Sequence, residues 1–375
     1  MSFLSDVMPT YRLRQVDRVA VRAEPADAWA AALGLDFYRV PFARGLFALR
    51  AVPDRIAARL RGRPGAPPES LLIDDIVAPG TPWLMLGEDP GREIAVGAVG
   101  SFWRPRIGFA DLHPRDFRPF DEAGFGKLAW SLRVDPRADG GSWITMELRV
   151  GATDERSWRR FRRYWALVGP FSHAMRRGAL RLLERELGGA PNAKTVALPG
   201  DAFLPQARLQ RTHVRFIEAP PASVWPWLVQ MGCRRAGWYS YDRLDNGGVP
   251  SATHIVPELE HLAVGDIIPA RPTRRDGFAA LEVRAPHALV IGSPSLLPGG
   301  GPAPENEPPP WRTSWAFVLE PVGRHATRLL VRVRADYRPS PAMAVVRTVM
   351  SALHEVMERA QLRHLKRRIE ALAPS

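Results

Sequence analysis

The chain has 375 residues, 46% hydrophobic and 24% charged, a globular balance with room for two domains that each bury a core. A single cysteine, Cys233, excludes an internal disulfide, and no stretch approaches the about 18 apolar residues of a membrane span. The formal charge is +13, yet only Lys127, Lys194 and Lys366 among the 52 basic residues are lysines. Such an arginine bias follows from a GC-rich coding sequence. With no helix-turn-helix, zinc-finger or RNA-recognition signature beside it, no nucleic-acid partner is expected. Met1 to Arg14 lacks an apolar core of signal-peptide length, so the expected location is cytoplasmic.

Along the chain, Asp17 to Arg22 alternates as a half-buried strand, and Glu24-Pro25 opens a helix carrying Trp29 and Leu33. Arg61 to Pro68 is a break. Strands are predicted at Leu71–Val77, Trp83–Leu86, Glu93–Trp103, Gly126–Val134 and Ser142–Val150. A helix follows from about Asp154 to Leu187, which Gly169-Pro170 should kink or split. The Gly- and Pro-rich segment 189–206 reads as a linker between a domain of residues 1–188 and one of 207–375. The second half starts with a strand, Arg211–Ile217, in which Thr212, Val214 and Phe216 alternate with His213, Arg215 and Ile217. Pro220-Pro221 then opens a helix reaching about Met231. Strands follow at Ile267–Ile268, Ala279–Arg284, Ala288–Gly292, Ser314–Glu320 and Arg328–Tyr337. A Gly/Pro loop spans Gly299–Pro310. The last helix runs from about Pro341 to Leu372, with Met343, Val346, Met350, Leu353, Met357 and Ala360 as its buried stripe.

The two halves share an order of distinct elements. Ala23-Glu-Pro-Ala-Asp-Ala-Trp29 answers to Ala219-Pro-Pro-Ala-Ser-Val-Trp225, and Leu128-Ala-Trp-Ser-Leu-Arg-Val-Asp-Pro136 to Thr313-Ser-Trp-Ala-Phe-Val-Leu-Glu-Pro321. A second β-like run and a long helix close each half. A repeat of domain length means one fold used twice. Short turns between strands make each sheet antiparallel, and only the long helix is sized to cover it. The expected fold class is therefore α+β, two tandem domains of curved sheet on helix.

This order resembles the START/Bet v 1-like superfamily, also called SRPBCC or polyketide-cyclase-like, with its helix-grip fold. The resemblance rests on the Ala219 to Trp225 opening, Gly237-Trp-Tyr-Ser-Tyr-Asp242, Ile255-Val-Pro-Glu258, Val264-Gly-Asp266 and Ser314 to Pro321. It is fullest in the second half, and the middle of the first departs from it. It implies a cavity for an apolar small molecule between sheet and C-terminal helix: a lipid, polyketide or aromatic metabolite. Some members catalyse cyclisation or dehydration, but no shared catalytic set carries over.

Read by themselves, Trp238, Tyr239, Tyr241, Asp242 and His254 form the densest polar-aromatic cluster. With Trp315, Met350 and Met357 they are the candidate ligand-binding residues. Tyr241, Asp242 or His254 could exchange protons with a ligand. Alternatively the aromatic residues pack, and Asp242 caps a turn. No HExxH or Cys-pair spacing exists, so no metal or other cofactor is expected. Asn246 to Gly248 and Pro298 to Gly301 read as turns, and Ser240 lacks a GxSxG elbow. Cys233, beside Arg234-Arg235, is either a lowered-pKa thiol or a small apolar residue. Arg156, Arg159, Arg160, Arg162 and Arg163 alternate with Trp158, Phe161, Tyr164 and Trp165. The aromatic side should cover the sheet, leaving no stable membrane anchoring. The two domains are expected to dock on each other, the first with a lost or narrowed cavity; an interaction role with a degenerate first domain is the third reading.

Overall fold

The computed structural model describes residues 3–40, 70–272, 277–299 and 311–372, without the side chains of 341–350. The chain forms two compact units, Met1–Ala190 and Pro191–Pro374.

The first unit runs α1 (Phe3–Val7), β1 (Leu13–Val21), α2 (Pro25–Leu33), α3 (Ile73–Ile76), β2 (Leu84–Asp89), β3 (Glu93–Gly100), β4 (Gly126–Pro136), β5 (Ser142–Ala152) and α4 (Glu155–Glu186). Its sheet is antiparallel, in the order β1-β5-β4-β3-β2. The second unit runs β6 (Leu209–Ile217), α5 (Pro221–Val229), α6 (Asp242–Asp245), β7 (Ile267–Pro269), β8 (Gly277–Arg284), β9 (Ala288–Gly292), β10 (Trp311–Val322), β11 (Ala326–Tyr337) and α7 (Pro341–Leu372). Its order, β6-β11-β10-β9-β8-β7, is the same plan with one more strand. Each unit is thus an antiparallel sheet gripping one long C-terminal helix, the α+β helix-grip architecture.

The repeat extends to single bonds. Trp130 faces Leu148 across β4–β5, and Trp315 faces Val333 across β10–β11. At the start of the last strand, Ser142 Oγ donates to the Ala23 carbonyl at 2.8 Å and Thr327 Oγ1 to the Ala219 carbonyl at 2.6 Å. Both hydroxyls fasten the strand to the chain that enters the short helix. That helix starts with Pro25 or Pro221 in its first turn, where a fixed φ helps and no N–H is missed.

Several expectations are corrected. The predicted strand Leu71–Val77 holds the short helix α3, because the Asp75 carboxylate accepts from the Leu72 N–H and caps the turn. Helix α4 is not split. Asp154 caps its start, accepting from the Ser157 N–H at 2.8 Å, and one helix continues through Pro170. A Cβ on Gly169 would lie 2.7 Å from Trp165 Nε1, so glycine there makes room for the indole. The segment 189–206, read as a linker, holds the boundary between the two units, and residues on each side of that boundary are bonded within their own unit. Ala190 N–H donates to the Ala20 carbonyl, which extends the edge of β1. Beyond it, Ala193 and Leu198 pack on Ala288, Val318 and Leu330. Arg332, 2% exposed, donates to the Ala193 and Val196 carbonyls and to Asp201 at 2.6–2.8 Å. A buried guanidinium needs that many acceptors, and the segment supplies them. The break at Arg61–Pro68 and most of the Gly299–Pro310 loop lie outside the described residues.

Candidate functional site

In the second domain a cavity of about 530 Å³ lies between the sheet and α7, within the usual range for small-molecule sites. β6, β8, β10 and β11 form its sheet side. The Trp238–Ser240 turn, α6 and residues 351–361 of α7 complete it. Trp238 and Trp315 stack at 5.7 Å, and Phe278 meets both edge-on at 5.9 and 6.1 Å. These rings satisfy one another, so they form a wall.

A strained turn delivers Trp238. Tyr239, next to it, is buried with φ +57°, a left-handed conformation that non-glycine residues hold only when the surroundings enforce it. The enforcement is visible. Its N–H donates to Ser251 Oγ at 3.1 Å, His364 Nδ1 lies 3.1 Å from its carbonyl oxygen, and Gln230 Nε2 donates to its hydroxyl at 2.6 Å. Burial pushes the Tyr239 phenol up to about 12, so it holds its proton and supports the turn. Gln230 also donates to the His254 carbonyl and accepts from the Val256 N–H.

β6 and α7 bring Arg211, His354, Glu358 and Gln361 to the cavity, with His213 and Glu355 bonded to them outside the lining. His213 Nε2 lies 3.0 Å from Glu355 Oε1 and Nδ1 2.9 Å from Glu358 Oε2. Bonding to Glu358, against burial, raises the His213 pKa and favours the imidazolium. Arg211 donates to Glu355 Oε2 at 2.9 Å and to the Ser351 carbonyl at 3.1 Å. His354 Nε2 is 3.4 Å from Glu358 Oε2, and its ring meets Trp315 at 5.4 Å. Burial alone would raise the Glu358 carboxyl; bonds to His213 and His354 outweigh it and hold the group ionised.

Of the residues expected to bind a ligand, the structure gathers Trp238, Trp315 and Met357 around the cavity. Tyr239 packs behind them against Trp227. Tyr241 is 43% exposed, His254 is exposed, and Asp242 accepts from Ser251 Oγ at 2.5 Å at the start of α6. These three do not line the cavity. The side chain of Met350 lies outside the described residues. Cys233 is 1% exposed, and burial pushes its thiol up in spite of Arg234, which makes it a small core residue. Sequence reading missed Asp245, His354, Glu358 and Gln361. Of the expected stripe on α7, Ala360 is buried, Met357 is half-buried at the cavity and Leu353 is 43% exposed, while the side chains of Met343, Val346 and Met350 lie outside the described residues; Glu358, Gln361, Leu362, Leu365 and Ile369 are buried as well. The available signal was His354–Glu358–Gln361, three polar residues at helical spacing with the buried apolar residues further along α7. Among the described residues no group of His, Cys, Asp and Glu could hold a metal, and no helix is long and apolar enough to cross a membrane.

In the first domain the matching sheet positions Leu128, Trp130, Leu148 and Val150 are covered by Phe102, Phe161, Trp158 and Trp165. Phe161 is fully buried and stacks on Trp158 at 5.9 Å and Trp165 at 5.5 Å. The space left is a groove between β1 and α4, lined by Leu13, Val16, Asp17, Trp165, Pro170 and His173 among others, of about 570 Å³. The expected smaller volume is not found; the difference between the domains is one of enclosure and lining.

No family model and no curated protein matches the sequence. Solved structures that resemble it include the di-domain ARO/CYC BexL from the BE-7585A biosynthetic pathway (11% identity, 96% of this chain and 99% of that chain, TM-score 0.21). The di-domain ARO/CYC StfQ from the steffimycin biosynthetic pathway has the same identity and coverage at TM-score 0.25. The Zhui aromatase/cyclase from Streptomyces sp. R1128 is 12% identical over 44% of this chain and 96% of that chain, at TM-score 0.24. Likenesses this distant carry no argument about activity. The helix-grip assignment stands on the sheet order, the strand register and the long helix of each domain.

Proposed function

We propose that the protein binds an apolar, flat small molecule in the cavity of its second domain. One observation carries the reading. The sheet face that the first domain covers with Phe161 and Trp165 borders a cavity of about 530 Å³ in the second, lined by Trp238, Phe278 and Trp315 among others. Burying a ring against such walls yields roughly 25 cal/mol per Å² of apolar area. The acid–base alternative drawn from Tyr241, Asp242 and His254 gains no support, since these groups do not converge on the cavity. Native mass spectrometry of protein purified from its own host tests the proposal. A retained small molecule, lost on Trp315→Ala, is the expected result. A bare protein that also fails to bind neutral naphthalene-type probes would remove the proposal.

A further inference from the structure

Among the described residues, one carboxylate of the cavity lining, Asp245, has no ion-pair partner. Asp245 is 7% exposed and lines the cavity; the Ser240 hydroxyl and its own N–H stand near the carboxylate, and among the described residues neither oxygen has a hydrogen bond of good geometry. The Ser240 hydroxyl, which also lines the cavity, donates to the Met357 carbonyl at 3.1 Å. The other charges of the cavity are accounted for. Arg211 and His213 face Glu355 and Glu358, and Arg271 stands exposed in the lining. A buried carboxylate without a partner is costly to keep. Two further acceptors in the same lining, Glu358 Oε1 and Gln361 Oε1, are also buried and without a hydrogen-bond partner. The Trp315 indole N–H of the same lining is also buried without a hydrogen-bond partner. Aromatic faces beside an unpaired carboxylate are the chemistry that holds organic ammonium ions.

Resting on the reading of this cavity as a small-molecule site, we infer that its ligand is a flat aromatic molecule carrying a protonated amine, which pairs with Asp245 while the ring lies against the Trp238–Phe278–Trp315 wall.

Burial, followed by the neighbouring Asp242, pushes the Asp245 carboxyl up to about 6. It is therefore ionised at pH 8 and protonated at pH 5. Among the described residues, the other titratable groups around it are Asp242 on α6, Cys233 from the turn after α5, His354 and Glu358 on α7, Arg211 on β6 and Arg271 after β7. A pH change acts on every titratable group of the protein, so pH alone does not isolate Asp245. The Asp245→Asn variant does.

The test is isothermal titration calorimetry of the full chain with three matched probes: 1-naphthylmethylamine, 1-naphthalenemethanol and 1-methylnaphthalene. At pH 8 the amine is expected to bind about tenfold or more tighter than the two neutral probes. That advantage should vanish at pH 5 and, at pH 8, in Asp245→Asn, while methylnaphthalene binds the variant as it binds the native chain. An unchanged methylnaphthalene affinity also shows that the variant is folded. If the neutral probes bind but the amine gains nothing, the inference falls and the cavity reading stands. If the alcohol gains as much as the amine, Asp245 recognises a donor and not a cation, and the inference falls. The same holds if the amine keeps its advantage in Asp245→Asn. If no probe binds, the cavity reading itself fails.

Discussion

The two domains place opposite charges at one position of one fold. Counting back from the matched Ala23 and Ala219, Asp17 corresponds to His213 and Gln15 to Arg211. In the first domain, Arg176 reaches from the long helix to Asp17 at 3.1 Å and to Gln15 at 2.5 Å. In the second, Glu355 and Glu358 reach from the long helix to Arg211 and His213. The strand is acidic and the helix basic in one copy, and the reverse in the other. What both preserve is a charged bridge between the edge strand and the helix, each partner satisfied by the other. The inversion teaches that pairing is what the fold requires here, and that the sign is free. The interior differs in a second way: aromatic side chains from α4 occupy the first, whereas α7 presents His354, Met357, Glu358 and Gln361 to an open cavity.

The largest expected effect comes from trying to open the first domain. Phe161→Ala removes a fully buried ring from the aromatic stack and should cost about 3–5 kcal/mol. If the comparison is right, the variant also gains affinity for 1-methylnaphthalene in the first domain, read by calorimetry on a chain whose second-domain cavity carries Trp315→Ala. Loss of stability without new binding would mean that the neighbours collapse into the space, and that Phe161 is packing and not a plug.

Breaking either charged bridge from the helix side should come next. Glu358→Ala strands His213 between fewer partners and Arg176→Ala strands Asp17. Removing one member of a buried pair typically costs about 3 kcal/mol. Denaturant titrations that resolve the two domains should show Glu358→Ala shifting the second transition and Arg176→Ala the first. A shift of the same transition by both would break the analogy.

Asp245→Asn should act in the other direction. The folded carboxyl titrates near 6, above its ordinary value of 3.8. The folded state therefore binds more protons between those two pH values. Stability attributable to this group falls as pH rises through that window, and the penalty is complete above it. The variant is expected to stabilise the second domain by about 2 kcal/mol at pH 8 and to be neutral at pH 3.5. An equal gain at both pH values would show that the charge is not the cause. A more stable protein that no longer prefers an amine is the usual signature of a group kept for function.

The smallest effect sharpens the repeat itself. Ser142→Ala and Thr327→Val each delete one hydroxyl bond to the entrance of the short helix and should each cost about 1 kcal/mol. A clear disparity in urea midpoints would show that the two bonds, alike in geometry, are not alike in worth.

Much of the fold was legible in the sequence because its signals are local or repeated. Proline after a strand, alternation within short runs and the paired Trp130 and Trp315 segments specify elements without reference to the rest of the chain. The exceptions were places where a side chain bonds its own backbone, as Asp75 does at Leu72, or where a distant group claims a segment, as Arg332 does with residues 193–201. The site was less legible. Trp238, Trp315 and Met357 lie at the cavity because large apolar residues in a helix-grip arrangement face the sheet–helix interior. Asp245, Glu358 and Gln361 were missed because periodicity treats polar residues as outward facing.

Sequence alone determined that this protein is one fold used twice, since hydrophobic spacing and turn residues act within each segment. Tertiary structure decided which copy is filled and which is open. A cavity is the space that side chains far apart in the chain leave to one another, and only the packed domains show Phe161 against the sheet in the first and Trp238, Phe278 and Trp315 bordering a cavity in the second. It also decided that Asp245 lacks an ion-pair partner among the described residues, because a partner is a matter of distance in space and not of position in the chain.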